Sequence, residues 1–155
     1  GAHYSDAACD LLESNHNDSR RMMVVSTRNN SALTDLPYDS IAEVTAVITS
    51  HGAEPLNWGT FPPAARGMLQ IMKAMEQTVI EAAVNGDYGA ALHAFTINPL
   101  IRAGETAKQV LDQLLYAHKK YLPQFADTIA RIEAEQPADT QFVDQLLADR
   151  KRHQQ

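Results

Sequence analysis

A phenol, an imidazole and a carboxylate stand close together near the start of the chain, in Gly1-Ala2-His3-Tyr4-Ser5-Asp6-Ala7-Ala8-Cys9. A second polar group, Arg28-Asn29-Asn30, ends the short β-branched run Met22-Met23-Val24-Val25-Ser26-Thr27. A tyrosine serves as a general base when cations or a metal lower its pKa. An arginine beside two amides suits a phosphate together with sugar hydroxyls, through charge-assisted and amide hydrogen bonds. Together these groups describe half of a polar crevice. The plainer reading is a capped surface helix with a packed tyrosine, followed by a solvated turn rich in asparagine.

The elements that must position them follow from pattern. Ser5 is expected as the N-cap of a helix over residues 5 to 15, with Asp6 near the positive end of its dipole and Tyr4 at the junction with the incoming loop. Ala8, Leu11 and Leu12 share one face of it, with Cys9 beside them. A polar turn over 15–19 leads to the run at 22–27, read as a buried strand. A strand end is a favoured place for ligand contacts, because the rigid strand fixes the loop beyond it. Leu36-Pro37-Tyr38-Asp39 reads as a turn. Residues 41–49 alternate, with Ala42, Val44, Ala46 and Ile48 on one side. His51-Gly52 turns the chain, and residues 54–56 are expected to pair back as a hairpin. Trp58 and Phe61 read as rings covering a core edge.

The longest helix is expected over 60–85, with Pro62 and Pro63 in its first turn. Its methionine-rich stripe, Met68, Leu69, Met72, Met75, Val79, Ile80 and Ala83, reads as core filling. Asn85-Gly86 stops it, and Asp87 caps a helix over 88–95. A further helix over 106–118 turns Val110, Leu111, Leu114 and Leu115 inward. Helical segments over 126–135 and 139–151 flank Pro137. Strands and helices are segregated along the chain, which predicts an α+β fold, a small sheet packed with several helices.

With 155 residues, 45% of them hydrophobic, the chain is expected to form one domain with its own core. A net charge of −6 carries no general basic footprint for nucleic acid. The closing Arg150-Lys151-Arg152-His153 reads as a solvated helix end. No apolar run approaches membrane-spanning length. Cys9 is the one cysteine, which excludes an internal disulfide, fits a reducing compartment and suits a small buried hydrophobe. The sequence has no Gly-x-Gly-x-x-Gly, no P-loop, and no His-x-x-x-His or Cys-x-x-Cys pair. His93 and His118 read as packed or surface residues. No signal peptide is visible, residue 1 is not Met, and the chain opens in mid-pattern, so it reads as a piece of a longer protein.

The ordered series Gly1 to Cys9, Met23-Val24-Val25-Ser26-Thr27-Arg28-Asn29-Asn30 and Asp35-Leu36-Pro37 resembles the C-terminal half of glycoside hydrolase family 4, nearest its 6-phospho-β-glucosidases. Glu81-Ala82-Ala83-Val84-Asn85-Gly86-Asp87-Tyr88, Asn98-Pro99-Leu100 and Tyr121-Leu122-Pro123-Gln124-Phe125 match as well. The last twenty or so residues match nothing in that pattern. The family is an NAD-dependent exception to two-carboxylate glycoside hydrolysis. The resemblance implies oxidation at C3 of the sugar, removal of the C2 proton by a base, elimination of the aglycone, addition of water and return of the hydride.

It further implies NAD and Mn2+ (or another divalent metal) in the full-length enzyme, with neither held by this piece. It implies Tyr4 as the base, with His3 standing where the family usually has a first tyrosine. Arg28 would clamp a phosphate, with Asn29, Asn30 and Asp6 completing the substrate site. The implied fold is like the C-terminal domain of lactate and malate dehydrogenases. The implied partners are a phosphorylated disaccharide or aryl glucoside, the enzyme's own N-terminal NAD-binding domain, and further copies in a homodimer or homotetramer; the implied place is a bacterial cytoplasm. Neither nucleic acid nor membrane is expected. The isolated piece is expected to be inactive. Two alternatives stay open: the same family acting on α-linked phosphoglycosides or unphosphorylated galactosides or glucuronides, and a non-catalytic helical interaction module.

Overall fold

Alternation decides the sheet. Along β2 (Ile41–Thr49), Val44, Ala46 and Ile48 are buried while Glu43 is exposed, as a period of two requires. In the computed structural model, which describes residues 3–101 and 104–152, β2 is the central strand of three. It pairs antiparallel with β1 (Met22–Arg28) on one side and β3 (Gly52–Pro55) on the other. The hairpin expected after His51-Gly52 is therefore present. The register sets Met23 opposite Ala46, Val25 opposite Val44 and Thr27 opposite Ala42, so these residues share one face. Met22, Val24, Ser26 and Arg28 lie on the other.

β1 departs from the buried strand expected of it. It is an edge strand whose residues alternate between half-buried and exposed, with Met22 and Val24 open to solvent. A β-branched run looks the same in sequence whether one face or both are covered.

Helix α1 spans Tyr4–Asn17. Ser5 lies inside its first turn and is not the cap. The N-cap position belongs to His3, in the left-handed conformation (φ 74) and without a capping side-chain bond. That bend lets the His3 carbonyl accept from the Ala7 N–H at 3.1 Å, which starts the helix earlier than the sequence pattern suggests. Gly1 and Ala2 of the motif lie outside the described residues. Polar groups seat the other end of α1: Ser14 Oγ donates to the Ile48 carbonyl (3.3 Å) and Asn15 Nδ2 to that of Thr49 (2.7 Å). Ala8 and Leu12 are exposed, as is Cys9, which was expected to be buried.

The chain divides into two compact units, residues 1–70 and 71–155. Helix α2 (Pro63–Asn85) begins in the first and runs into the second. The first unit's core gathers Leu33, Leu36 and Val44, with Ala42, Phe61 and Leu69 against it. Phe61 thus covers a core edge as expected, whereas Trp58 is largely exposed. The methionine stripe of α2 is wider than the surface covering it: Leu69 joins that core and Ala82 is buried, but Met68 and Ile80 are 61% and 62% exposed.

The second unit adds α3 (Tyr88–Ile97), α4 (Glu105–Ala117), α5 (Ala126–Glu135) and α6 (Pro137–Arg152). Its core gathers Ala82, Ala91, Leu111, Leu115, Phe125, Ile129 and Ile132. Gly86, with φ 68, lets the chain turn from α2 to α3; a Cβ there would collide with the Gln124 carbonyl. Asp87 then caps α3, accepting the Ala90 N–H at 3.0 Å. Along α4, Leu111 and Leu115 are buried as expected, but Leu114 is partly exposed and a carboxylate, Asp112, is buried at 1% exposure. The architecture is α+β. Among the described residues, no helix is long and apolar enough to cross a membrane.

Asp112 accepts from the Tyr88 hydroxyl (2.7 Å), Lys108 Nζ (2.8 Å) and Gln136 Nε2 (2.8 Å), joining α3, α4 and the junction of α5 with α6. Burial pushes the Asp112 carboxyl up, but the bonds from Lys108, Tyr88 and Gln136 together outweigh it and hold it below the usual carboxylate range. Burial and the same carboxylate push the Tyr88 phenol well above its ordinary value. A lowered carboxyl contributes stability that is complete above about pH 4 and is lost as pH falls through the folded-state value. Asp112→Ala, which strands three donors, should lose about 2 kcal/mol in urea denaturation at pH 7. The gap to the unmutated chain should narrow as the pH is taken below about 4.

Candidate functional site

The loop leaving β1 is held from within by one side chain. Asn29 is 0% exposed. Its Oδ1 accepts the Leu33 N–H (2.8 Å), and its Nδ2 donates to the carbonyls of Leu33, Leu36 and Pro37 at 3.0 to 3.1 Å. Its backbone N–H donates to the Ser40 carbonyl at 2.8 Å. A primary amide has two N–H groups, so three carbonyls share them. Where the backbone leaves the sheet and its ladder ends, this amide supplies the missing partners. Asn29 therefore faces inward, and of the two asparagines expected beside a sugar only Asn30 is exposed.

Asn30 and Ser31 turn the chain in the left-handed region (φ 47 and 66), which asparagine tolerates better than most residues. The Asn30 N–H donates to the Tyr38 carbonyl at 3.0 Å, tying both limbs of the loop together. A second layer braces it. Trp58 N–H donates to the Ala32 carbonyl (2.8 Å) and Thr34 N–H to that of Gly59 (3.0 Å). Asp35 accepts the Phe61 N–H at 2.9 Å.

Arg28, the last residue of β1, is exposed, and its guanidinium carbon lies 5.2 Å from the centroid of the Tyr38 ring. Sequence reading passed over Tyr38 as part of a turn. The available signal was an aromatic ring in the segment that closes back on an arginine.

Tyr4 is the first residue of α1 and 78% exposed. Beside it, Asp6 Oδ2 and His3 Nδ1 meet at 2.9 Å, both exposed, with Asp6 in the first turn as expected. Ser14 and Asn15 bond the end of β2 that pairs with the start of β1, while Leu11 and Leu12 share a cavity with Val25 and Ser26 further along. From Leu11 back to Tyr4 is about 10 Å of helix, and from Val25 to Arg28 about 10 Å of strand. α1 and β1 thus lead Tyr4 and Arg28 toward the same end of the first unit.

Among the described residues, no three His, Cys, Asp or Glu side chains are placed to hold a metal ion. In the second unit, a cavity of about 430 Å³ is lined by Phe95, Leu111, Leu115 and Phe125, with the His118 ring and the Tyr121 phenol as its polar groups.

Residues 1–101 match the family model described as "Family 4 glycosyl hydrolase C-terminal domain". A "probable 6-phospho-beta-glucosidase" of Bacillus subtilis is 49% identical over 129 residues, which is 83% of this chain and 29% of that protein. Among solved structures, the Thermotoga maritima 6-phospho-beta glucosidase with NAD and glucose-6-phosphate aligns with a TM-score of 0.72 at 30% identity, covering 79% of this chain and 30% of that one. A 6-phospho-alpha-glucosidase from gut microorganisms, in complex with NAD and glucose-6-phosphate, aligns with a TM-score of 0.74 at 32% identity, over 79% of this chain and 28% of that one. The chain therefore spans less than a third of the length of the relatives it matches.

Asn29→Ala should strand the Leu33 N–H and the Leu36 carbonyl, while the carbonyls of Leu33 and Pro37 keep the Leu36 N–H and Ser40. An expected loss of about 2 to 3 kcal/mol in urea denaturation, with faster amide exchange at Leu33 and Asn30, would report the loop's release.

Proposed function

Because the chain belongs to glycosyl hydrolase family 4, as that family's C-terminal domain, we propose that it is the substrate-binding part of a longer enzyme that hydrolyses 6-phospho-β-glucosides. The observation that carries this reading is Arg28. It is an exposed cation, without a carboxylate partner among the described residues, at the strand end from which the loop braced by Asn29 leaves. Arg28 binds the phosphate of the substrate. Asn30, exposed beside it, meets sugar hydroxyls. Tyr4, at the end to which α1 leads it, removes the proton at C2. Asp6 acts on the substrate side through His3, which it orients. Asn29 supports the loop from inside and touches no ligand.

NAD, when bound, accepts and returns the hydride, and a divalent cation such as Mn2+ steadies the charge left by C2 deprotonation. The residues of this chain fit neither group. They offer no Gly-rich phosphate loop in the sequence and no ligand cluster among the described residues. We assign both to the N-terminal part of the enzyme. The same reading has that enzyme working as a homodimer or homotetramer in a bacterial cytoplasm. The likeness to the B. subtilis relative favours β-linked substrates. The likeness to the gut 6-phospho-alpha-glucosidase favours a second reading, in which the same groups take an α-linked phosphoglucoside.

The test uses the complete protein with NAD and Mn2+ in deuterated water, offered both anomers of a 6-phosphoglucoside. Hydrolysis of the β anomer with deuterium at C2 of the released sugar phosphate is expected; hydrolysis of the α anomer alone selects the second reading. Tyr4→Phe should lower turnover at least about a hundredfold and abolish the C2 exchange, as loss of a general base does. Unchanged exchange would remove Tyr4 from the role. Arg28→Ala should raise KM for the phosphorylated substrate roughly tenfold to a hundredfold, the scale of a lost charged hydrogen bond. An unaltered KM would remove the phosphate clamp.

A further inference from the structure

The first unit contains four arginines, and three of them face carboxylates: Arg20 faces Asp18, Arg21 faces Asp10 and Glu13, and Arg66 faces Asp35. Arg28 alone faces a ring, that of Tyr38, 5.2 Å from its centroid. A guanidinium carries its five N–H donors around the edge of its plane, and stacking uses only the face. A stacked arginine therefore keeps its hydrogen-bonding edge free while losing much of the side-chain freedom that an exposed arginine otherwise has. Its edge then matches two oxygens of a phosphate at once.

The backbone that carries the ring is itself anchored. The Tyr38 carbonyl accepts the Asn30 N–H (3.0 Å), and the preceding carbonyls of Leu36 and Pro37 are held by the Asn29 amide at 3.1 and 3.0 Å. The side chain that leaves the strand end and the ring it rests on are thus tied to the same buried group. Resting on the reading of Arg28 given above, we propose that Tyr38 is a positioning residue: its ring holds the Arg28 guanidinium edge-on to the phosphate monoester of the substrate and so strengthens the site's preference for phosphorylated sugars.

The complete protein, titrated calorimetrically with glucose 6-phosphate and with glucose, tests this through Tyr38→Phe, Tyr38→Leu, Arg28→Ala and the double variant Tyr38→Leu/Arg28→Ala. The exposed position of Tyr38 lets all four fold. Phe keeps the ring and is expected to bind glucose 6-phosphate like the unmutated protein. Leu removes the ring and should weaken glucose 6-phosphate about two- to fivefold, the scale of an exposed cation–π contact, with no change for glucose. In the double variant, the loss should equal that of Arg28→Ala alone.

Silence of Tyr38→Leu beside a clear loss in Arg28→Ala overturns the positioning role and leaves the clamp standing. A full additional loss in the double variant overturns it too, because Tyr38 then acts independently of Arg28. So does a Phe variant as weak as Leu, which makes the hydroxyl the contact. If Arg28→Ala itself binds glucose 6-phosphate normally, the clamp fails and takes this inference with it.

Discussion

The first unit depends on one buried amide. A loop that leaves an edge strand gives up its ladder partners, and a backbone polar group buried without a partner is expensive. Asn29 answers this at four backbone groups with a single side chain, and each of its bonds is 2.8 to 3.1 Å long. The arrangement of the strand end follows from that constraint. Asn30 turns outward because Asn29 turns inward. Tyr38 comes back across the strand end because the carbonyls before it are fixed. Arg28 therefore emerges, exposed, beside an aromatic face.

The second unit is built on the same principle with a charge. Asp112 sits among apolar residues of α4, where a carboxylate is tolerated only if its oxygens are occupied. Tyr88, Lys108 and Gln136 occupy them, and each comes from a different part of the unit. Apolar burial alone permits many packings of four short helices. A carboxylate that must meet three named donors permits few. In both units, then, a polar group inside the protein chooses among arrangements that the hydrophobic pattern leaves open.

The site residues divide by how far their roles depend on distant parts of the chain. The identity of the family was legible in motifs, because Tyr4 to Cys9 and Met23 to Asn30 are contiguous runs of residues. Their orientation was not. Asn29 and Asn30 are adjacent and chemically identical, so nothing local says which faces the protein. The carbonyls of Leu33, Leu36 and Pro37 decide it. Likewise Ser5 is a good cap by type, yet the left-handed bend at His3 moved the helix start ahead of it. Cys9 and Ala8 carry apolar side chains on α1, but the helix is seated by Ser14 and Asn15 and leaves them uncovered.

By itself the sequence determined the elements and their class. Period-two alternation over 41–49, the turn at His51-Gly52, the proline start and glycine stop of α2, and the Asp87 cap of α3 are local in origin, and each stands where its pattern put it. Strands before helices sufficed for an α+β fold. What only the tertiary structure decided was which surfaces are covered. It made β1 an edge strand, left Met68 and Ile80 of the α2 stripe largely exposed, sent Asn29 and Asp112 inside, and laid Arg28 on Tyr38. The physical reason is that conformation near a residue is set by its neighbours in sequence, whereas burial and hydrogen-bond partnership are set by groups brought from elsewhere in the chain.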